Sequence, residues 1–146
     1  MAKYPESLKL ENQICFPLYV ASKEMIRKYQ PILEKYDITY TQYIVLMDLW
    51  EYGKQSVKEI GERLYLDSGT LTPLLKKLEK RNFIKRVKDK KDERCVLIEL
   101  TEQGKSFQNE AGKIPLEVAK CVKLSKEEAK TLYQLLYKAI EGFTNE

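Results

Sequence analysis

Residues 67–100 constrain the fold of this chain more than any other stretch. Asp67-Ser68-Gly69-Thr70 is a turn-and-cap cluster, and behind it Leu71, Leu74, Leu75 and Leu78 recur at i, i+3, i+4 and i+7. That spacing is the mark of a helix with one apolar stripe. At 100° per residue, Thr70, Pro73, Lys76, Lys77 and Lys80 fall on the opposite, outward side. Small hydroxyls followed by lysines suit a helix that points its N-terminal end at base edges. Residues 83–88 and 95–100 follow, two β-branched-rich segments around the charged turn Asp89-Lys90-Lys91-Asp92-Glu93-Arg94. They read as a hairpin.

Charge supports the same reading. Residues 76–94 carry ten basic and four acidic side chains, a local +6, while the chain as a whole is only +4. A polyanion that touches this one region is the natural partner. The alternative is an ordinary solvated charged face.

Upstream and downstream, three Ser/Thr residues are followed three positions later by Glu or Gln: Thr39/Gln42, Ser56/Glu59 and Ser125/Glu128. Each predicts a capping box at a helix start. The helix after Thr39 is apolar almost all round (Tyr43, Ile44, Leu46, Met47, Leu49, Trp50), which makes it central, and Gly53 ends it. A short helix after Ser56 places Val57, Ile60 and Leu64 on one face. The order helix, turn, outward helix, hairpin is that of a winged helix-turn-helix. Further helices are expected over residues 12–35, 101–120 and 125–143. Their apolar faces, Leu132, Leu135, Leu136 and Ala139 among them, need a partner, and a second copy of the chain is the simplest. The expected fold is therefore mainly α with a small β-hairpin wing. It is a single domain over 1–146, with a winged-helix part at 37–100 and dimerisation helices at 8–36 and 101–146.

Several function classes are excluded. There is no histidine, so a Cys-His or Ser-His hydrolase is out of reach. The three cysteines, Cys15, Cys95 and Cys121, have no zinc-like spacing, so neither a metal site nor a cofactor is expected. No run of about 18 apolar residues offers a membrane span. The opening Met-Ala-Lys-Tyr-Pro-Glu-Ser lacks the apolar core of a signal peptide, so a cytoplasmic protein is expected.

The stretch from Leu66-Asp67-Ser68-Gly69-Thr70 to Pro73-Leu74-Leu75-Lys76, with Asp92-Glu93-Arg94 and Leu100-Thr101-Glu102-Gln103-Gly104, resembles the MarR family of bacterial transcription regulators. Gln13-Ile14-Cys15-Phe16 with Leu18-Tyr19, and Ile38-Thr39-Tyr40 before Gln42-Tyr43, resemble its organic-hydroperoxide repressor (OhrR-like) branch. The resemblance implies a homodimer on a double-stranded DNA operator built as an inverted repeat. It implies that Ser68, Thr70, Lys76 and Lys77 face bases or phosphates. Arg94 would enter the minor groove, its guanidinium held by Asp92. A narrow minor groove does concentrate the negative potential that favours Arg, whose planar fork suits a carboxylate.

The resemblance also implies a switch: organic hydroperoxide oxidises Cys15 and the operator is released. A free thiol is only a few per cent ionised at neutral pH, so Cys15 needs help. Pro17 is tolerated only near a helix start, which places Cys15 at the positive end of a helix dipole. Tyrosine hydroxyls are the second source of help, and the resemblance points to Tyr29 and Tyr40, with Tyr19 as a further candidate. Fourteen residues of one helix put Tyr29 roughly 21 Å from Cys15, so a bond between them has to come from the other subunit. Cys121 falls where some members of the branch carry a resolving cysteine, and Cys95 reads as structural. Three other readings stay open: a MarR-type repressor that senses a small aromatic ligand at the dimer interface, a thiol peroxidase, and a winged helix that binds only protein.

Overall fold

The computed structural model describes residues 3–145. Its elements are α1 (Cys15–Leu33), α2 (Tyr40–Tyr52), β1 (Gln55–Ser56), α3 (Val57–Leu64), α4 (Ser68–Lys80), β2 (Ile84–Lys88), β3 (Val96–Leu100), α5 (Glu102–Ala111), α6 (Ile114–Ala119) and α7 (Lys126–Thr144). The three expected capping boxes all form, at Thr39, Ser56 and Ser125. Asp67 and Thr101 cap α4 and α5 through the N–H groups of Thr70 (2.7 Å) and Gly104 (3.0 Å). Gly53 closes α2 at φ +73°, a conformation that favours glycine.

The core lies where α2, α3, α4 and the sheet meet. Val45, Leu46 and Leu49 of α2, Ile60 of α3, and Leu71, Leu75 and Leu78 of α4 are all buried, with Ile84 and Ile98 closing the sheet side. Fully burying each such side chain is worth roughly 1.5–3 kcal/mol. The expected outward set, Thr70, Pro73, Lys76, Lys77 and Lys80, is exposed without exception.

Three expectations need correction. The hairpin is joined by a third strand: β1 pairs antiparallel with β3, giving the order β1-β3-β2. Two residues are too few to carry an alternating pattern. The front helix is shorter than residues 12–35, because 3-10 turns at Leu10–Asn12 and Glu34–Tyr36 flank α1. The helix expected over 101–120 is two helices, α5 and α6. Pro115 has no N–H to continue the α5 ladder, and it sits in the first turn of a new helix, where none is needed.

Gly104 is a contact, not a hinge. A Cβ there would lie 2.1 Å from the Phe83 carbonyl oxygen, the same oxygen that accepts from the Thr101 N–H (3.0 Å). The Trp50 indole N–H donates to the Gly104 carbonyl at 2.9 Å, so α5, the wing base and α2 are tied at one point. Among the described residues no helix is long and apolar enough to cross a membrane.

Gly104→Ala is therefore expected to cost about 1–3 kcal/mol as an overpacking change. Urea unfolding at fixed protein concentration reads this directly. An unchanged midpoint would show that the α5–wing contact can relax.

Candidate functional site

Two groups of side chains stand out, one on the winged helix and one on α1. On α4, the Asp67 cap leaves the Ser68 and Thr70 side chains on the exposed first turn, and Lys76 and Lys77 lie on the same outward helix. Lys77, Lys80 and Arg81 border an open groove of about 460 Å³ with Asp37, Thr39 and Gln42. The Arg81 guanidinium pairs with the Asp37 carboxylate, which fastens the end of α4 to the turn before α2.

The wing tip is organised by carboxylates. Asp92 Oδ1 accepts the Arg94 backbone N–H at 3.1 Å and lies 3.4 Å from its Nε. The Arg94 side chain is nevertheless 93% exposed, so it is aimed rather than buried. Asp89 Oδ1 accepts the Lys91 N–H (2.9 Å), and the Asp89 N–H donates to the Cys95 carbonyl (3.0 Å). Lys88, Lys90 and Lys91 are exposed around this turn.

Cys15 is the first residue of α1 and is exposed. Helices α2, α3, α4, α5 and α7 all have a side-chain cap, whereas Ile14 gives α1 none. Pro17 has no N–H to offer, so the open N–H groups beside the thiol are those of Cys15 and Phe16. Neither meets an acceptor among the described residues. An uncapped helix start is a favourable place for negative charge. Tyr19, one turn on, shares the exposed face, with the Lys23 ammonium 5.3 Å from its ring centroid.

Tyr29 and Tyr40 stand at the other end of α1. Their ring centroids are 4.9 Å apart, and Tyr43 joins them at 5.9 Å from Tyr29. One chain thus brings Tyr29 together with Tyr40, and Cys15 together with Tyr19, but it does not bring the two halves together. The sequence places Tyr43 in the core and in the branch motif but not among the sensing residues; its position three residues after Tyr40 on α2 is the available signal. Burial raises the pKa of the Tyr29 and Tyr40 phenols, the Tyr29 phenol also feeling Tyr40. Burial, with Tyr29 and Tyr40 beside it, pushes Tyr43 up to about 12. All three therefore remain hydrogen-bond donors at neutral pH. The pairing of buried Asp48 with exposed Arg63 (2.8 Å), whose guanidinium lies 3.7 Å from the Tyr52 ring centroid, was also not legible in the sequence.

Residues 27–111 match the family of transcriptional regulators SarA/Rot. Over 136 residues, 93% of this chain and 92% of the other, the protein is 48% identical to the organic hydroperoxide resistance transcriptional regulator of Bacillus subtilis strain 168. A MarR variant of E. coli complexed with operator DNA superposes with TM-score 0.78 at 27% identity, over 90% of this chain and 98% of that one. This chain is a MarR-type transcriptional regulator of the organic-hydroperoxide branch. Reduced AbfR bound to DNA gives TM-score 0.79 at 35% identity, covering 94% of this chain and 96% of that one. The disulfide form of AbfR, a Staphylococcus epidermidis protein, gives TM-score 0.67 at 34% identity over 97% and 96%. A MarR-type winged helix is the observed fold, and the peroxidase reading falls away because the relatives are regulators and not enzymes.

The raised pKa of Tyr43 has a signed consequence. A phenol whose folded pKa lies above its ordinary 10.0 contributes stability that is fully present below about pH 10 and is lost as pH climbs toward 12. Alkaline titration followed by phenolate absorbance should show a late-ionising fraction that Tyr43→Phe reduces. The variant should also lose less stability than wild type over that range. A late fraction of undiminished size in Tyr43→Phe would assign it to other tyrosines.

Proposed function

We propose that the protein is a homodimeric, DNA-binding repressor whose hold on its operator is ended by oxidation of Cys15 with an organic hydroperoxide. It acts in the cytoplasm. The observation that carries this reading is the split sensor. Cys15 sits at the uncapped start of α1, and the tyrosines suited to stabilise its thiolate sit at the far end of the same rigid helix.

A second copy resolves the separation. Ile14, Phe16, Leu18 and Tyr19 on α1, with Leu132, Tyr133, Leu135, Tyr137 and Phe143 on α7, are exposed in the single chain. So large an apolar surface marks an interaction site. In a two-fold dimer each Cys15 can meet the partner's aromatic cluster. The thiolate sulfur then attacks the terminal oxygen of the hydroperoxide. The S–O bond forms as the O–O bond breaks, and the alcohol leaves after taking a proton, so that sulfur is oxidised and peroxide reduced. The exposed Cys121, in the turn after α6, is the candidate resolving thiol: its sulfur displaces water from the sulfenic acid to give a disulfide. The solved disulfide form of AbfR makes such an end state reasonable here.

On DNA, Ser68, Thr70, Lys76 and Lys77 face the major groove and its phosphates. Arg94, steered by Asp92, enters the minor groove. The two-fold dimer calls for an inverted repeat with half-site centres about 34–36 Å apart. A competing reading, a small aromatic ligand as the signal, has one feature in its favour: a cleft of about 320 Å³ beside Tyr40, lined by Ile26, Leu33 and Ile38.

Cys15→Ser should bind operator as wild type does but stay bound in cumene hydroperoxide, since serine forms no sulfenic acid. Oxidised wild type should run as a disulfide dimer on a non-reducing gel and Cys121→Ser should not. Full peroxide-driven release by Cys15→Ser would end the thiol mechanism and favour the ligand reading.

For the wing, Arg94→Ala should weaken operator binding by more than Lys90→Ala, because only Arg94 is held in a fixed direction. Titration of both variants against the same duplex decides it. Small, equal losses would reduce the wing to a diffuse electrostatic contact.

A further inference from the structure

We infer that Asp92 decides which thiol of this protein an oxidant can use: besides holding Arg94, its carboxylate suppresses the reactivity of Cys95 at the wing. The inference takes the sensor role of Cys15 from the proposed function, but the suppression itself is a property of the wing alone.

All three cysteines are free and exposed, so burial does not choose among them. Left to exposure, a second reactive sulfur would stand next to the arginine that is aimed at DNA. Cys95 differs from the others in what its sulfur touches. Its S–H donates to Asp92 Oδ2 at 3.7 Å. The contact is fixed by the turn, since the Cys95 N–H donates to the Asp92 carbonyl (2.9 Å) and the Asp89 N–H to the Cys95 carbonyl (3.0 Å). The two oxygens of one carboxylate thus have separate tasks: Oδ1 orients Arg94, and Oδ2 holds the thiol. No carboxylate hydrogen-bonds Cys15 or Cys121 among the described residues.

The thiolate, not the thiol, is the nucleophile. To ionise, Cys95 has to give up its donor and set a negative sulfur against a carboxylate. Asp92 raises the thiol's pKa first and partial desolvation second, with the hydrogen bond to Asp92 and then the charge of Asp89 adding to it. These outweigh the basic side chains of the same turn, Lys90, Lys91 and Arg94. A modified Cys95 would place bulk beside Arg94 and loosen DNA through oxidants that the tyrosine-lined site never selects. The guard keeps the switch single.

The test uses the full chain with Cys15→Ser and Cys121→Ser, in which Cys95 is the one remaining thiol. Iodoacetamide reports on it: the thiolate displaces iodide, the S–C bond forms as the C–I bond breaks, and the thiol proton goes to solvent. Adding Asp92→Asn, which keeps size but removes charge, should raise the alkylation rate at neutral pH about fivefold, the scale of one contact-distance charge in water. It should also move the pH–rate profile to lower pH. Asp89→Asn should give a smaller rise. In denaturing urea all three proteins should react alike, which separates the folded turn from an unfolded one. An unchanged or slower rate for Asp92→Asn, with an unmoved profile, would overturn the inference. A second arm keeps it apart from the sensor reading. Peptide mass spectrometry after organic hydroperoxide should find only Cys15 and Cys121 oxidised in otherwise unaltered protein, and Cys95 as well in Asp92→Asn. Unoxidised Cys15 beside a still-guarded Cys95 would sink the sensor reading alone.

Discussion

Burial of Leu71, Leu74, Leu75 and Leu78 against α2 and α3 sets the direction of everything this molecule can present to a polyanion. Once that stripe faces inward, Ser68, Thr70, Lys76 and Lys77 have no choice but to face out. The same burial seats the end of α4, so that Arg81 reaches Asp37 and the chain enters β2 with Ile84 already in the core. The wing is then carried at a fixed angle by β3, which is clamped on both edges, and by Gly104 packed on Phe83. Recognition surface and core are two faces of the same few helices. A core substitution in α4 therefore has to be read as a change in its exposed, lysine-bearing face as well.

The parts of this fold legible in the sequence share one property: their signal is local. Capping boxes at Thr39, Ser56 and Ser125 are four-residue patterns, and the α4 stripe repeats within eight residues. What escaped depends on partners distant in sequence. Gln55 and Ser56 become a strand only because β3 offers Leu97 and Ile98 across the sheet. Asp48 and Arg63 are fifteen positions apart, on different helices, and nothing in either neighbourhood announces their pairing. Tyr43 was hidden for the opposite reason. It is as buried as its aliphatic neighbours, so an apolar tally counts it as core and misses its place beside Tyr29.

The site divides along the same line. Cys15 and its helix start could be inferred from Pro17, whose missing N–H favours a first turn, although α1 and α4 also carry Pro31 and Pro73 inside the helix. That Ile14 leaves this one long helix uncapped also lies in the sequence, though only as the absence of a residue type. The grouping of Tyr29 with Tyr40 came from family resemblance, and the structure supplies its physical cause: α1 and α2 are joined by one tight turn, with Asp37 at φ +55°, which folds the end of one helix onto the start of the next.

A nineteen-residue helix spans close to 28 Å, and this length bears on how sensing reaches DNA. Within one chain the length of α1 holds the thiol and the phenols apart; in the proposed dimer each thiol meets the partner's aromatic cluster instead. The sensor is then part of the surface that sets the distance between two copies of α4. A change there need not reach the recognition helix through a chain of side chains. On the proposed reading, replacing a thiolate by a bulkier, neutral or cross-linked sulfur alters how two rigid bodies dock, and a small rotation at the dimer axis is magnified at the half-sites. Tight core packing helps, because a winged helix that cannot deform must move as a unit. In the proposed dimer the span of α1 thus makes the oxidation state of one small side chain a question of spacing between two distant helices.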